Sequence, residues 1–252
     1  MTQARPFARR RSLAALLLTA MPGALMAAAP ACHLPDHIDF PTALGPVDTG
    51  KAVDIPSRLY KLAISWAPEY CATGEGMGGA FDRSIECDRK ANRFGFILHG
   101  LWPDGDGKTW PQFCRAAQPL DPALIRKHLC ATPLPDLMQH EWAKHGTCGW
   151  PSPEVYFRES NALYARLRFP DAEALSRESG LTVGAFARAF AAANAGRVKG
   201  LDARTVTVAT SKDGYLQEVR LCLDARKRFA ACSAEELKPA DLAKPLRVRR
   251  GD

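Results

Sequence analysis

An α+β fold in a single, disulfide-stapled domain is predicted by three features of the 252-residue chain. Strand-like alternation occurs near both ends of the body, and helical periodicity fills the stretch between them. No internal repeat, low-complexity linker or sharp change of composition divides it. Eight cysteines, none in a C-x-x-C pair, all follow an export-type N-terminus, the pattern of a disulfide framework formed in an oxidising compartment.

That N-terminus, residues 1–29 with a cut anywhere in 24–31, reads as a signal peptide. Arg9, Arg10 and Arg11 precede an apolar run opened by Leu13, and small residues fill 27–31. The run is short of the ~20 residues a membrane span needs. The domain proper is residues 30–252, periplasmic or secreted, monomeric, with no membrane attachment once the signal is removed. Arg5, Arg9, Arg10 and Arg11 carry more than half of the formal charge of +7. Part of the remaining excess sits in Arg247, Arg249 and Arg250, on a tail expected to fray. Charge alone therefore gives little support for nucleic-acid binding.

Residues 33–57, rich in Pro, Asp and Gly, read as an irregular leader. In 60–66, Tyr60, Leu62, Ile64 and Trp66 share one face, which makes a half-buried strand that Pro68 ends. Residues 71–93 read as a loop stapled by Cys71 and Cys87. A second strand covers 94–99 and delivers His99 to its end. Gly100 then lets the chain turn, and Trp102, Pro103 and Asp104 follow in a loop. A helix is expected over 122–129, with Asp121 as N-cap and Pro122 as its first residue. Further helices are expected from Pro153 to about Leu167 and over 181–194. Residues 205–209 and 215–223 read as strands around the turn Lys212-Asp213-Gly214.

The chemistry concentrates in Q-H-E-W-A-K-H-G-T-C, residues 139–148. At about 100° per residue, an α-helix fans His140, Glu141, Lys144 and His145 over one face, with Gly146 as a helix stop. A solvated face with Glu141–Lys144 and Glu141–His145 pairs is the ordinary alternative. A zinc site of the H-E-x-x-H kind needs ligands four residues apart. His140 and His145 are five apart, so on a regular helix they diverge, and a metal-free acid–base cluster without cofactor is expected. Trp102, beside His99 at a strand exit, could stack on a nucleobase or anchor the core.

With F-I-L-H-G-L-W-P at 96–103 and H-E-W-A-K-H-G-T-C at 140–148, the chain resembles the ribonuclease T2 family. The likeness extends to L-A-I-S-W-A-P-E-Y-C at 62–71, to W-P-x-x-C ending at Cys114 and to a late strand near Cys222. It spans roughly 58–225. The signal and the cysteine count look most like the periplasmic bacterial members. The resemblance implies a central antiparallel sheet and metal-free cleavage of single-stranded RNA, not DNA, through a 2′,3′-cyclic phosphate to 3′-phosphate ends. It places His99, Glu141, Lys144 and His145 on catalytic positions, His140 on a phosphate-binding one and Trp102 on a base-contacting one. His99 is implied as first proton donor and His145 as acceptor. Glu141 would orient Lys144 or His145, or donate a proton itself. The Asp104 carboxylate could accept from a base amine, which leans toward adenine on the 5′ side of the cut. An optimum of about pH 5 to 7 follows from unperturbed histidines. Cys71–Cys87 and Cys222–Cys232 are expected as short local bridges, and the resemblance pairs Cys114 with Cys148, leaving Cys32 with Cys130. No catalytic group is missing, as one would be in an inactive binding protein on the same scaffold.

Overall fold

Alternation on the first strand decides which way the sheet faces. In the computed structural model, which describes residues 1, 32–73, 85–88, 91–105 and 109–251, strand β1 (Leu59–Trp66) buries Tyr60, Leu62, Ile64 and Trp66. Lys61 and Ser65 turn to the opposite, half-open face. The signal-peptide reading falls on residues outside those described. β1 lies between β2 (Phe96–Asp104) and β4 (Leu216–Leu223), and β3 (Val206–Thr210) pairs outside β4. Every pairing is antiparallel, as the α+β expectation requires.

The helices in chain order are α1 (Ala67–Thr73), α2 (Pro122–His128), α3 (Pro135–Glu141), α4 (Thr147–Gly149), α5 (Pro153–Ala165), α6 (Ala172–Leu175), α7 (Val183–Ala193) and α8 (Pro239–Leu242). Tyr156 and Phe157 of α5 and Phe186 and Phe190 of α7 are buried in the core that covers the apolar face of the sheet. Each such side chain contributes about 1.5–3 kcal/mol on leaving water. Asp121 caps α2 as expected, its Oδ1 accepting from the Ala123 N–H at 2.7 Å.

β1 ends before Pro68 as expected, and Pro68 stands in the first turn of α1, where a missing N–H costs nothing. Two local expectations are corrected. β2 does not stop at His99 but continues to Asp104, so Trp102 and Asp104 are strand residues. Pro103 is tolerated because β2 is an edge strand. The arginine-rich tail does not fray. Leu246 and Val248 are buried, the Leu216 N–H donates to the Arg247 carbonyl at 2.8 Å, and Arg249 pairs with the buried Glu69.

The disulfides join Cys32–Cys130, Cys71–Cys87, Cys114–Cys148 and Cys222–Cys232, the pairs expected from the sequence. Through the first of them the leader is tied to the end of α2.

Candidate active site

One residue of β2 has no partner across the ladder. Ala63 faces Gly100 and Ile64 faces Leu98, so His99 is the extra residue of a β-bulge. A bulge reverses the side-chain parity that follows it. Ile97 and His99 reach the open face before it, and Trp102 and Asp104 reach the same face after it. Without the bulge, His99 and Trp102, three apart, would point to opposite sides. Gly100 is required beside it, because a Cβ there would lie 1.8 Å from Glu141 Oε2.

The facing wall begins in α3 and departs from the expected regular helix. Gly146 does not end it; residues Trp142–Gly146 form a π-turn that runs on into α4. Two contacts hold this turn. The Lys144 carbonyl accepts the Phe113 N–H at 2.8 Å, and Gly146 lies against the Trp142 ring, 2.3 Å from where a Cβ would be. Cys114–Cys148 pins its end. A π-turn bonds residue i to i+5. His145 is thereby carried back toward the line of His140, and divergence of the two histidines on a regular helix no longer applies. Among the described residues, the one group of three close His, Cys, Asp or Glu ligand atoms is Cys222, Cys232 and Glu236, whose sulfurs are bonded to each other. It is no metal site.

Between the walls lies a pocket of about 660 Å³, within the range of ligand sites. It is lined by all seven residues expected from the sequence: His99, Trp102, Asp104, His140, Glu141, Lys144 and His145. Their partners differ from expectation. The Glu141 carboxylate accepts from Trp102 Nε1 at 2.7 Å and from the Tyr156 hydroxyl at 3.3 Å, and lies 3.4 Å from His99 Nε2. It forms no pair with Lys144, which has no carboxylate partner among the described residues. Burial alone would raise the Glu141 pKa. His145, His99 and the Trp102 N–H together hold it below the usual value, so it stays ionised and has no proton to donate. Trp102 stacks on His145 with ring centroids 5.3 Å apart and carries the Arg220 guanidinium 5.3 Å over its ring. The indole is thus part of the scaffold as well as of the lining. Asp104 bonds Lys61 at 2.9 Å and accepts the Gly105 N–H at 3.0 Å, so a base amine would meet oxygens already engaged.

The two histidines sit in opposite fields. His99 Nδ1 lies 2.7 Å from Glu218 Oε2 and 3.0 Å from Ser65 Oγ. Burial disfavours its charge, but the carboxylates of Glu218 and Glu141 outweigh burial and hold the imidazolium up to about 10. Glu218 is correspondingly down at about 2: burial opposes its charge, and His99 and Arg220 overcome that. His145 is pushed down to about 4 by burial, with Lys144, His99 and His140 adding to it and Glu141 opposing. One imidazole is therefore charged and the other neutral across a wide pH range.

Sequence reading missed Glu218, Ser65 and Tyr156. The available signal for Glu218 was an acid on a strand whose neighbours Leu216, Val219 and Leu221 are all buried. It missed Glu86 as well. This carboxyl lines the pocket with both oxygens buried and unpartnered, and burial pushes its pKa up to about 8 against the opposing charge of His99.

Residues 57–232 match the family described as the Ribonuclease T2 family. A probable ribonuclease of Haemophilus influenzae is 34% identical over 136 residues, 51% of this chain and 50% of that one. A ribonuclease of Aeromonas hydrophila is 37% identical over 89 residues, 35% of this chain and 36% of that one. The chain thus spans half or less of the length of these two relatives. Among solved structures, an RNase-related protein from Calystegia sepium superposes with a TM-score of 0.53 at 24% identity, over 71% of this chain and 93% of that one. Trichomaglin, an S-like ribonuclease, gives 0.52 at 19%, over 71% and 92%. These two likenesses speak to the fold.

Proposed function

From the premise that this chain belongs to the ribonuclease T2 family, we propose that it is a metal-independent endoribonuclease acting on single-stranded RNA. The observation that carries this reading is the opposite charge bias of two histidines facing one pocket. Pairs of groups with pKa values driven apart are how one site holds an acid and a base together.

In the first step neutral His145 takes the proton of the 2′-hydroxyl, whose oxygen attacks phosphorus. The bond to the 5′-oxygen breaks, and the His99 imidazolium protonates it. The products are a 2′,3′-cyclic phosphate and a free 5′-hydroxyl end. In the second step the roles reverse. His99 takes a proton from water, water opens the ring, and His145 returns its proton to the 2′-oxygen, leaving a 3′-phosphate. Negative charge gathers on the non-bridging oxygens in between, and Lys144 and His140 stand ready to hold it. Glu141 fixes the walls to each other through Trp102 and His99.

Residues 30–252 act as one monomeric domain, and 1–29 are removed during export to the periplasm or the medium. The export-type sequence and the four disulfides support that compartment. The test is incubation of the purified protein with homopolymer RNA in excess EDTA. The cyclic phosphate should appear first and the 3′-phosphate later, while a DNA strand stays intact. Loss of activity to EDTA with recovery on a divalent ion, or a 5′-phosphate product, overturns the reading.

A further inference from the structure

The leader before the family-matched region reaches the pocket. It is anchored at one end by Cys32–Cys130 and by reciprocal bonds of Asn92 to the His33 backbone at 2.8 and 2.9 Å. At the other end Val53 and Gln112 exchange backbone bonds at 2.9 and 3.0 Å. Between these anchors the turn Pro46–Asp48 lies against α3. Val47 there is 60% exposed and lines the pocket rim. Gly50 fits under Phe113, which itself meets the His140 ring edge-on at 6.3 Å.

Asp48 is the one buried residue of this turn. Its Oδ2 accepts the Gly45 N–H at 2.8 Å. Its Oδ1 is buried without a hydrogen-bond partner, and so is His140 Nδ1, and these two atoms lie 3.5 Å apart. Two orphaned buried polar atoms facing each other are each other's remedy, since a buried group left unpaired costs about 1–3 kcal/mol. The contact tightens when Nδ1 carries a proton. A carboxylate at Nδ1 also selects the tautomer and turns Nε2 outward, as partners behind functional histidines do.

We propose that Asp48, outside the region that carries the family likeness, is a positioning residue that holds His140 by Nδ1 and presents Nε2 to an RNA phosphate. The leader is then part of the substrate-binding wall. This rests on the proposed function only in taking the anion to be an RNA phosphate.

Asp48→Asn keeps an oxygen for Gly45 but offers His140 an amide. It should raise KM for RNA about tenfold and weaken inhibition by inorganic phosphate by the same factor, with kcat nearly unchanged. In a His140→Ala background the substitution should add almost nothing. Nitrogen-15 spectra of the imidazoles should show His140 protonated at Nδ1 in the parent and not in Asp48→Asn. Asp48→Glu should restore part of the KM. An unchanged KM and tautomer, or equal effects with and without His140, overturns the proposal. Should the parent cleave no RNA, the phosphate and nitrogen-15 readouts still decide the role of Asp48, so the two failures are distinguishable.

Discussion

The strand wall and the helical wall each bring a histidine to the same pocket and treat it in opposite ways. On the strand wall His99 has Glu218 beside it and Glu141 reaching it from the helical wall, and these keep it charged. The helical wall buries His145, sets Lys144 beside it and keeps it neutral. One residue type thus acquires two roles, and the difference lies in the neighbours. What sets the two histidines apart is that Glu218 and Glu141 converge on His99, while burial and Lys144 act on His145.

The comparison breaks most completely if either histidine is removed. His99→Ala and His145→Ala should each cost about 10²–10⁴-fold in kcat, the range for general acid–base groups. The double variant should lose little more, because the two act as a unit. Additive losses in single-turnover cleavage would show that they act independently.

Removing the acidic neighbour should come next in size and depend on pH. Activity needs His99 protonated and His145 neutral, so its limbs are set near 4 by His145 and near 10 by His99. This window is wider than the pH 5 to 7 expected from unperturbed histidines. Glu218→Gln withdraws the charge that raises His99, so the alkaline limb moves down and the acid limb stays. At pH 9 the variant should lose at least about tenfold in kcat/KM, and at pH 5 little. A pH–rate profile with an unmoved alkaline limb counts against Glu218 as the group that raises His99.

The smallest expected effect on rate is at Glu86, a carboxyl near His99 that touches neither wall's histidine. Its folded pKa of about 8 lies above the ordinary glutamate value of 4.5. The folded state keeps a proton that the unfolded chain gives up, so stability is whole below 4.5 and declines as pH rises through 8. At about 1.4 kcal/mol per pH unit, the loss reaches at most about 5 kcal/mol. Glu86→Gln should leave kcat nearly unchanged, raise Tm at pH 8 and raise it little at pH 4. An equal gain at both pH values would show that ionisation is not the cause.

Period-two alternation made β1 legible, since burial on one face writes itself into Tyr60, Leu62, Ile64 and Trp66. The residues that line the pocket were legible too, as a dense group of side chains around His99 and in 139–148. The geometry that assembles the set was not. A bulge adds one residue without changing composition, and a π-turn uses the same residues as the α-helix it interrupts. Glu218 and Asp48 are single acids whose partners lie 119 and 92 positions away in sequence, at His99 and His140. No local pattern announces such a pair. The tail reads as frayed because three arginines outweigh the alternation of Leu246 and Val248 with Arg247 and Arg249.

The bulge at His99 also sets what kind of change the strand wall can survive. Substitutions there alter one side chain at a time. At unchanged length, closing the bulge into regular pairing would turn every later side chain of β2 over, sending Trp102 and Asp104 into the core and Leu101 and Pro103 to the pocket. Deleting the extra residue would instead bring His99 and Trp102 two apart and leave both on the pocket face. Along this strand the face that each side chain takes is therefore set by the pairing register, and a slip of one residue separates a binding wall from an apolar one.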